Sequence, residues 1–496
     1  MTLKELLAVR KSPLDEKQTK LISEAFDFAQ KKHQGQKRKS GEDYFEHCTE
    51  TAATILKMGL GSRTTAAALL HDVYEDTDCT LEEIQKKFGK EVAFIVDGVT
   101  KLGKVRLRGS TEEIYLENLR KMFLAMAADV RVVLVKIADR LHNMTTLYAL
   151  PENKQKRIAK ETMEIFVPIA NRLGIGEIKG QLEDLSFKYL DPKNYARTVQ
   201  LENEAYEDRK KYVSRAIQEL KEELKKSGIK VLDMHGRAKH YYRFFEKLQK
   251  HNMNIEKIYD LAAIRIVVPK LADCYETLGI VHRKYNPLVG RIKDYIALPK
   301  PNGYRSIHTT VFGPEGKILE IQIRTKRMHD EAEFGIAAHW IYSSKKNWRE
   351  YLFKKNQIGN VPEKELQWLS QLKDWHVETG GKNDEFWSSL KIDFFKNHIF
   401  AFTPHGDVID LPESSTPVDF AYRIHSEIGD RVTGAKINGR IVALDSTVHN
   451  GDLVEIITAK NKKMPSRDWL EFVKTANARS KIKTALKKKR TGLFKF

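Results

Sequence analysis

The hydrophobic pattern of the chain changes near residue 205, and this change constrains the fold more than any other feature. From about residue 17 to residue 190, apolar side chains recur at three- and four-residue spacings, as in LISEAFDFAQKKH and RTTAAALLHDVYED, which predicts one helix after another. A long charged helix, YEDRKKYVSRAIQELKEELKK, then precedes strand-like runs such as LAAIRIVV and ILEIQIRT that alternate with helical segments. The sequence therefore predicts an all-helical unit followed by an α/β or α+β unit.

A third unit is predicted near the C-terminus. The hairpin-like HIFAFTPHGDVIDLP, the helical VDFAYRIHSEI and the strand-rich GAKINGRIVALDSTVHNGDLVEIIT follow one another within about 65 residues. This order is typical of a ubiquitin-like β-grasp module. The final segment, KIKTALKKKRTGLFKF, is basic and predicted to be helical. A chain of 496 residues has room for about three such domains, so the predicted fold class is multidomain α+β.

Composition narrows the setting and the partners. Lys and Arg number 86 against 67 Asp and Glu, and this excess favours polyanionic partners, nucleotides or nucleic acid, although a generally basic surface would also explain it. The three cysteines form no C-x-x-C pair, which argues against a disulfide framework and a structural zinc site and indicates a reducing cytoplasm. The sequence contains neither a long uncharged apolar stretch nor a secretory signal, so we expect no membrane association.

Four residues of the helical unit have the chemistry of metal ligands: His47, His71, Asp72 and Asp139. Each lies on a predicted helix, and a mixed nitrogen and oxygen set suits Mn²⁺ or a similar divalent ion. Such an ion lowers the pKa of its bound water and polarises a phosphoryl oxygen, so the set predicts metal-assisted hydrolysis of a phosphate ester. Two further histidines, His33 and His142, are interpreted as packing or capping residues.

Other polar residues fit the same reaction. In a helix, Glu75 and Asp76 share a face with His71 and Asp72, and they are candidates to orient the water or to carry its proton. Arg38 and its neighbour Lys39 could hold phosphate groups through charge-assisted hydrogen bonds.

A second constellation lies in GRIKDYIALPKPNGYRSIHTTV, where prolines and a glycine predict a loop. Its candidate nucleotide-binding residues surround one aromatic ring: Arg291, Lys293, Lys300, Asn302, Tyr304 and His308. The ring can stack on a base while the cations bind phosphates. Asp260 and Glu320, at the edges of predicted strands, can hold Mg²⁺ against a triphosphate. A solvated basic loop is the alternative reading.

These residues lie in motifs that resemble the long RelA/SpoT homologue family, bifunctional enzymes that make and degrade the alarmones ppGpp and pppGpp. The resemblance covers nearly the whole chain. It rests on RKSGEDYFEHC, AALLHDVYEDT, VDGVTKL and KIADRLHNM in the first domain, and on YDLAAIR, GRIKDYIALPKPNGYRSIHTTVFGP and EIQIRTKRMHDEAEFGIAAHW in the second. FTPHGDVIDLP and residues 422–429 carry it in the third.

The resemblance implies five segments: an HD-type hydrolase domain (1–190), a nucleotidyltransferase-like synthetase domain with a mixed sheet (191–375), a connector (376–390), a β-grasp TGS domain (391–460) and a basic helical tail (461–496). The family's further C-terminal regulatory domains do not follow in this sequence. A truncated form and a naturally short form are both compatible with that.

In the first domain, the resemblance implies that His47, His71, Asp72 and Asp139 bind Mn²⁺. It also implies that the acids Glu75 and Asp76 activate the water that removes the 3′-pyrophosphate of (p)ppGpp. The residues matching the guanosine nucleotide site are Arg38, Lys39, Ser40 and Asn143.

In the second domain, the resemblance implies pyrophosphoryl transfer from ATP to the 3′-hydroxyl of GDP or GTP, with release of AMP. Asp260 matches the Mg²⁺ ligand, Glu320 matches an acid that binds metal or deprotonates the hydroxyl, and Tyr304 matches the ring that stacks on guanine. The other matching nucleotide-binding residues are Arg237, Lys247, Lys293, Lys300, Asn302 and His308. In the TGS domain, His425 matches a residue that meets the tRNA 3′ end in ribosome-bound relatives.

The chain departs from the family at several positions. Asp43 and Cys48 stand where the family usually has Pro, which leaves the ligands unchanged. Residues 241–248 and 254–260 also differ, on the presumed ATP side and just before the catalytic Asp. Two alternatives therefore stay open: a hydrolase whose degenerate synthetase domain senses nucleotides, and a catalytically silent regulator that binds the ribosome and uncharged tRNA.

Overall fold

A computed structural model describes the chain except residues 11–12, 104–124, 126–127, 205, 237–239, 255–257, 259–261, 301, 336, 339–397, 460–464 and 493–496. The predicted connector, 376–390, lies outside the described residues. The chain divides into two compact units, Met1–Lys373 and Asp374–Phe496. None of the helices in the described ranges is both long enough and apolar enough to cross a bilayer.

The first unit begins with the predicted series of helices. They are α1 (Leu3–Ala8), α2 (Glu16–Lys32), α3 (Tyr44–Lys57), α4 (Ser62–Leu70), α5 (Val73–Asp76), α6 (Leu81–Phe88), α7 (Lys90–Gly103), α8 (Val130–Thr145), α9 (Glu152–Glu161), a π-helical turn (Thr162–Phe166), α10 (Val167–Arg172), α11 (Gly176–Leu190), α12 (Pro192–Glu204) and α13 (Tyr206–Lys226).

Small and apolar residues bring the central helices together. The buried face of α4 consists largely of alanine (Ala66, Ala67 and Ala68), which lets α2 and α3 pack closely against it. The hydrophobic centre of α8, VRVVLVKIA, is buried against α3 and α7. These contacts bring the first turn of α3, the end of α4 and the middle of α8 to one place.

A five-stranded mixed sheet follows, as predicted, in the order β1-β2-β5-β4-β3, with β2 and β5 parallel and the other pairs antiparallel. Its strands and helices are β1 (Asp233–Gly236), α14 (Tyr241–Lys250), β2 (Ala263–Val268), α15 (Leu271–Lys284), β3 (Lys293–Asp294), β4 (Ile307–Phe312), β5 (Ile318–Thr325) and α16 (Lys326–Phe334).

The two faces of this sheet differ in chemistry, because side chains alternate along each strand. One face carries Ile264, Ile266, Ile321 and Ile323, which form a core with α13 and α15. The opposite face carries polar side chains in register across neighbouring strands: His235, Arg265, Gln322, His308 and Lys293. The polar face is therefore where this domain can bind a charged ligand.

The helical domain meets the sheet domain through glycines. Gly174 follows α10 with φ +74°, and Gly335 follows α16 with φ +56°. A Cβ on Gly335 would clash with the backbone of residues 173–175, and a Cβ on Gly174 would lie only 3.1 Å from Gly335 Cα. Asn302 Nδ2 donates to Asn171 O at 3.4 Å beside them. We call these contacts the glycine joint. On α11, Asp184 accepts from the backbone N–H of Tyr242 at 2.9 Å.

The second unit contains a hairpin, β6 (His398–Phe402) with β7 (Val408–Pro412), and a three-stranded sheet in the order β10-β8-β9. Its other elements are α17 (Pro417–Ile424), α18 (Ser426–Asp430), β8 (Val432–Ile437), β9 (Arg440–Val442), β10 (Val454–Thr458), α19 (Trp469–Phe472) and α20 (Ala476–Gly492). A parallel bridge between Phe402 and Leu453 joins the two sheets. The β-grasp prediction is confirmed.

The predicted basic tail packs on this unit. Trp469, Val473 and Ile482 share an apolar cluster with residues of α17. The buried Asp419 ties the two parts together, accepting from Thr416 Oγ1 at 2.8 Å and from the Thr475 N–H at 2.8 Å. Its carboxylate also accepts from Thr475 Oγ1 and from the Lys474 N–H.

Candidate metal centre and nucleotide site

The four predicted metal ligands converge in the helical domain. His47 Nε2 lies 3.2 Å from His71 Nε2 and 3.2 Å from Asp139 Oδ1. Asp72 faces both rings, with Oδ1 3.2 Å from His71 Nε2 and Oδ2 3.4 Å from His47 Nε2. Donor atoms at these separations match neighbouring ligands on one divalent ion with bonds of about 2.0–2.2 Å. The donor set thus fits such an ion, and the site is formed by three elements far apart in the sequence.

Local structure explains how each ligand is presented. His47 lies in the first turn of α3, and the break between α4 and α5 falls at the His71–Asp72 pair, so that both side chains turn into the centre. Asp139 lies on the buried face of α8. His71 Nδ1 is 2.8 Å from Ala68 O, which it can reach only as a donor, leaving Nε2 free to bind a cation.

Burial disfavours the charged form of each ionisable side chain in this cluster, and charged neighbours offset that effect for the two aspartates. Burial would raise the pKa of Asp72, but His71 and His47 outweigh it and lower that pKa. Burial likewise acts against ionised Asp139, yet Lys136, with Nζ 2.5 Å from Asp139 Oδ2, holds the pKa of Asp139 well below its ordinary value. Burial lowers the pKa of His71. At neutral pH the carboxylates are ionised and His71 is neutral, as metal binding requires.

Tyr44 belongs to the site and was not predicted as a functional residue. Its hydroxyl lies 3.0 Å from Asp72 Oδ2 and 2.5 Å from Asp76 Oδ2, so that it bridges a candidate ligand and a candidate acid. Burial and both carboxylates raise its pKa far above the ordinary value, so the hydroxyl stays protonated. Its position three residues before His47 on α3 places both side chains on one face, the sequence signal that could have revealed it. Glu75 is exposed nearby.

The two histidines interpreted as packing residues lie beside this centre. His33 is buried, with its ring stacked on Tyr44 at a centroid distance of 4.9 Å. His142 Nδ1 lies 2.9 Å from His47 Nδ1. Burial, together with nearby His47 and Arg38, lowers the pKa of His142 to about 3, so that its ring is neutral.

The candidate substrate residues of this domain occupy the rim. Arg38 donates to His142 Nδ1 at 2.9 Å and, through its other terminal nitrogen, to Asn143 Oδ1. Ser40 donates to Glu42 at 3.0 Å, whereas the Lys39 side chain is exposed. The rim therefore presents cations beside the candidate metal ligands, the arrangement that a phosphate ester needs.

The predicted second site lies on the polar face of the sheet. Tyr304 Oη lies 2.8 Å from His308 Nε2, and His308 Nδ1 lies 3.1 Å from Glu320 Oε1. Lys300 Nζ lies 5.3 Å from the ring centroid of Tyr304 and 4.7 Å from that of Tyr295. Tyr295, whose ring also packs edge-on against His308, was not predicted, although it lies in the same loop motif. Ring, cation and carboxylate thus lie side by side.

The other predicted nucleotide-binding residues lie on several elements around the Tyr304–His308–Glu320 cluster or outside the described residues. Lys293 pairs with His308 across β3 and β4, and Asn302 reaches the glycine joint. Lys247 lies on α14, and Arg291 lies in the loop before β3. Asp260 and Arg237 lie outside the described residues. In the second unit, His425 caps α18 by accepting from the Glu427 N–H at 3.3 Å.

A buried ionic cluster under the same face was also missed. Arg324 is fully buried and shares Glu333 with Arg265, at 3.0 Å and 2.9 Å respectively. Burial and the nearby Arg265 lower the pKa of Arg324 to about 10, and its Nη2 contacts His329 Nδ1 at 3.0 Å. Alternation in ILEIQIRT already places Glu320, Gln322 and Arg324 on one face, which is the available sequence signal.

Three regions of the chain match known protein families. Residues 25–176 match the HD domain, residues 236–347 match the region found in RelA/SpoT proteins, and residues 399–458 match the TGS domain.

Curated relatives span most of the chain. A probable guanosine-3′,5′-bis(diphosphate) 3′-pyrophosphohydrolase of Synechocystis is 46% identical over 95% of this chain and 61% of the relative. A GTP pyrophosphokinase of Streptomyces coelicolor is 45% identical over 95% of this chain and 56% of its own length. A bifunctional (p)ppGpp synthase/hydrolase RelA of Mycobacterium tuberculosis is 43% identical over 98% of this chain and 65% of the relative's length.

The chain spans between 56% and 65% of the length of these three relatives, so it matches part of each. The matched part includes all three domain types in the order that the sequence predicts. The chain thus contains the region found in RelA/SpoT proteins, between an HD domain and a TGS domain, and is 43–46% identical to these relatives over nearly all of its length.

Proposed function

We propose that this protein is a bifunctional alarmone enzyme, which transfers pyrophosphate from ATP to GDP or GTP and removes it again from ppGpp or pppGpp. The observation that carries the proposal is the presence of two separate sites in one compact unit, Met1–Lys373. One is the cluster of His47, His71, Asp72 and Asp139, and the other is the Tyr304–His308–Glu320 chain. The relatives are named for one or both of the corresponding reactions.

For hydrolysis, we propose that His47, His71, Asp72 and Asp139 hold Mn²⁺. When bound, the ion supplies a water of lowered pKa and polarises the phosphoryl oxygen. The exposed Glu75 and the adjacent Asp76 accept the proton of the attacking water, and Tyr44 holds Asp76 in place through its hydroxyl. The other proposed roles belong to the residues that bind the guanosine nucleotide: Arg38, Lys39, Ser40 and Asn143.

For synthesis, we propose that Tyr304 stacks on guanine and that Asp260 and Glu320 hold Mg²⁺ against the ATP phosphates. The 3′-oxygen of GDP or GTP forms a bond to the β-phosphorus of ATP, and the bond from that phosphorus to the bridging α-phosphate oxygen breaks, which releases AMP. Glu320 takes the hydroxyl proton. His308, which Tyr304 and Glu320 contact on opposite ring nitrogens, fixes the orientation of this carboxylate.

The remaining proposed nucleotide contacts bind the nucleotides through positive charge or hydrogen bonds. They are Arg237, Lys247, Arg291, Lys293, Lys300, Asn302 and His308. Basic side chains with a planar or flexible cationic head suit this task.

A two-way assay tests the proposal, with Mn²⁺ and Mg²⁺ varied separately. Asp72→Ala should abolish hydrolysis and spare synthesis, whereas Asp260→Ala should do the converse, because the two sites share no residues. Production of AMP and ppGpp from ATP and GDP is the synthetic readout. Hydrolysis without any synthesis would favour the nucleotide-sensor alternative, and loss of both activities in a folded Asp72→Ala protein would contradict separate sites.

We further propose that the TGS domain contacts uncharged tRNA through His425 and that the protein acts in the cytoplasm at the ribosome. The excess of basic residues favours a polyanionic partner. Binding of labelled tRNA over a range of salt concentrations tests this. Equal affinity of the wild type and His425→Ala would contradict the contact, and tight tRNA binding without turnover in either direction would favour the silent-regulator alternative.

A further inference from the structure

One guanidinium on the rim of the candidate metal centre is bound to two consecutive residues of α8. Arg38 Nη1 donates to His142 Nδ1 at 2.9 Å, and Arg38 Nη2 donates to Asn143 Oδ1. The fork of a guanidinium suits this pair of parallel contacts, which a lysine ammonium could not reproduce. Arg38 itself is partly buried on the loop before α3.

Each of the two acceptors contacts a different candidate ligand. His142 Nδ1 lies 2.9 Å from His47 Nδ1, and Asn143 Nδ2 donates to Asp139 Oδ1. Arg38 is therefore connected to two candidate ligands, each through one intermediate side chain. Neither intermediate lies among the four converging ligands.

Hydrogen-bond chemistry gives the first connection a direction. A guanidinium only donates, so His142 Nδ1 must accept and carries no proton. Since the same atom faces His47 Nδ1, the proton in that second contact belongs to His47. Without a cation, Nε2 of His47 can donate to Asp72 and Asp139; when a cation binds at Nε2 in place of that proton, the proton that His47 keeps lies on Nδ1, toward His142. The opposite tautomer would point an N–H into the centre and repel a cation.

The second connection fixes an amide. Because Arg38 donates to the carbonyl oxygen of Asn143, the amide nitrogen of Asn143 must turn toward Asp139. A flipped amide would place two acceptors against each other. Arg38 thus determines which atom of Asn143 meets the Asp139 carboxylate and holds that carboxylate beside His47.

We infer that Arg38 is a positioning residue of the metal centre, which fixes the tautomer of His47 through His142 and the orientation of Asp139 through Asn143. The inference rests on the proposed metal site but not on the identity of the substrate. Arg38 would then position the metal ligands before any nucleotide binds, in addition to its proposed contact with the nucleotide. Outer contacts of this type typically alter metal affinity about 10- to 100-fold.

The test measures Mn²⁺ affinity in the nucleotide-free full chain, by the loss of the free-ion EPR signal during titration. Arg38→Met should weaken Mn²⁺ binding at least about tenfold. Simple electrostatics predicts the opposite sign, since removal of a positive charge beside a cation site favours the cation. Lys37→Ala is the matched control, because Lys37 is an exposed cation in the same loop whose ion pair is with Asp43. It should leave the affinity within about twofold.

A second variant separates the two connections. His142→Phe keeps a ring but removes the acceptor. It should weaken Mn²⁺ binding by less than Arg38→Met does, because it breaks only one of the two connections. The double variant should bind Mn²⁺ about as weakly as Arg38→Met alone. Circular dichroism checks that each variant is folded. If His142→Phe does not fold, the Mn²⁺ affinity of Arg38→Met alone tests the inference. Wild-type or tighter affinity in Arg38→Met overturns the inference, whereas failure of the wild type to bind Mn²⁺ overturns the proposed site itself.

Discussion

Gly335→Ala tests whether the glycine joint supports synthesis. An added Cβ would overlap Leu173 O and would lie 2.6 Å from Gly174 C and 2.8 Å from Ile175 N, where ordinary contact begins at 3.4 Å. The joint would have to open by about 0.8 Å to relieve the contact with Gly174 C, and by more to relieve the overlap with Leu173 O. Alanine at φ +56° also costs about 1–3 kcal/mol in backbone strain. These terms act on a contact that includes Asn302 of the proposed nucleotide loop.

The expected result is a fall of roughly tenfold in the rate of ppGpp synthesis, which corresponds to about 1.4 kcal/mol in the barrier. Hydrolysis should change less, because α3, α4 and α8 carry its ligands and none of them forms the joint. Hydrogen exchange should increase in the amides of residues 302–304.

Gly279→Ala is the control for this prediction. Gly279 lies on α15 with open space around the position of an added Cβ, so alanine there should be neutral or stabilising by about 0.5–1 kcal/mol. A Gly335→Ala protein with wild-type synthesis and unchanged exchange in residues 302–304 would show that the joint does not support the nucleotide loop.

Two further predictions concern single side chains. Tyr44→Phe removes a hydroxyl shared by Asp72 and Asp76, and loss of a hydrogen bond to a charged group, about 1.5–3 kcal/mol, should lower kcat for hydrolysis about tenfold or more and leave synthesis intact. Unchanged hydrolysis would show that the hydroxyl is dispensable. Burial and Arg324 lower the pKa of His329 to about 4, so folding favours the neutral form of this ring. The contribution of the neutral ring to stability is complete above about pH 6.5 and is lost as pH falls toward 4. His329→Gln should therefore flatten the decline of Tm between pH 6.5 and 4, and an unaltered pH profile would contradict this.

The sequence predicts most of the candidate metal centre because its ligands stand in strongly helical segments. His71 and Asp72 are adjacent, and burial of one face of each helix forces such polar residues toward a common point. The polar face of the sheet follows in the same way from alternation in β5, which puts Glu320 opposite the isoleucines of the core. Local periodicity thus assigns these residues to a helix face or a strand face, whereas the packing of distant helices brings the metal ligands together.

Contacts between distant segments could not be predicted. Arg38 meets His142 across 104 positions, and neither residue has a local pattern that pairs it with the other. His142 therefore reads as a packing histidine until its neighbour is known. The close approach of Gly174 and Gly335 is equally hidden, because a glycine after a helix is first of all a helix end.

The contacts of Asp419 bear on how long a fragment of the C-terminal unit must be to fold independently. The matched TGS region stops at residue 458, yet the Asp419 carboxylate takes donors from Lys474 and Thr475, and the apolar cluster extends to Ile482. A fragment cut at residue 458 would keep a buried charge and lose these donors, at a cost of about 1–3 kcal/mol or more. The matched region thus ends before the residues that complete its core, and we expect an isolated module that includes α20 to be more stable than one that ends at residue 458.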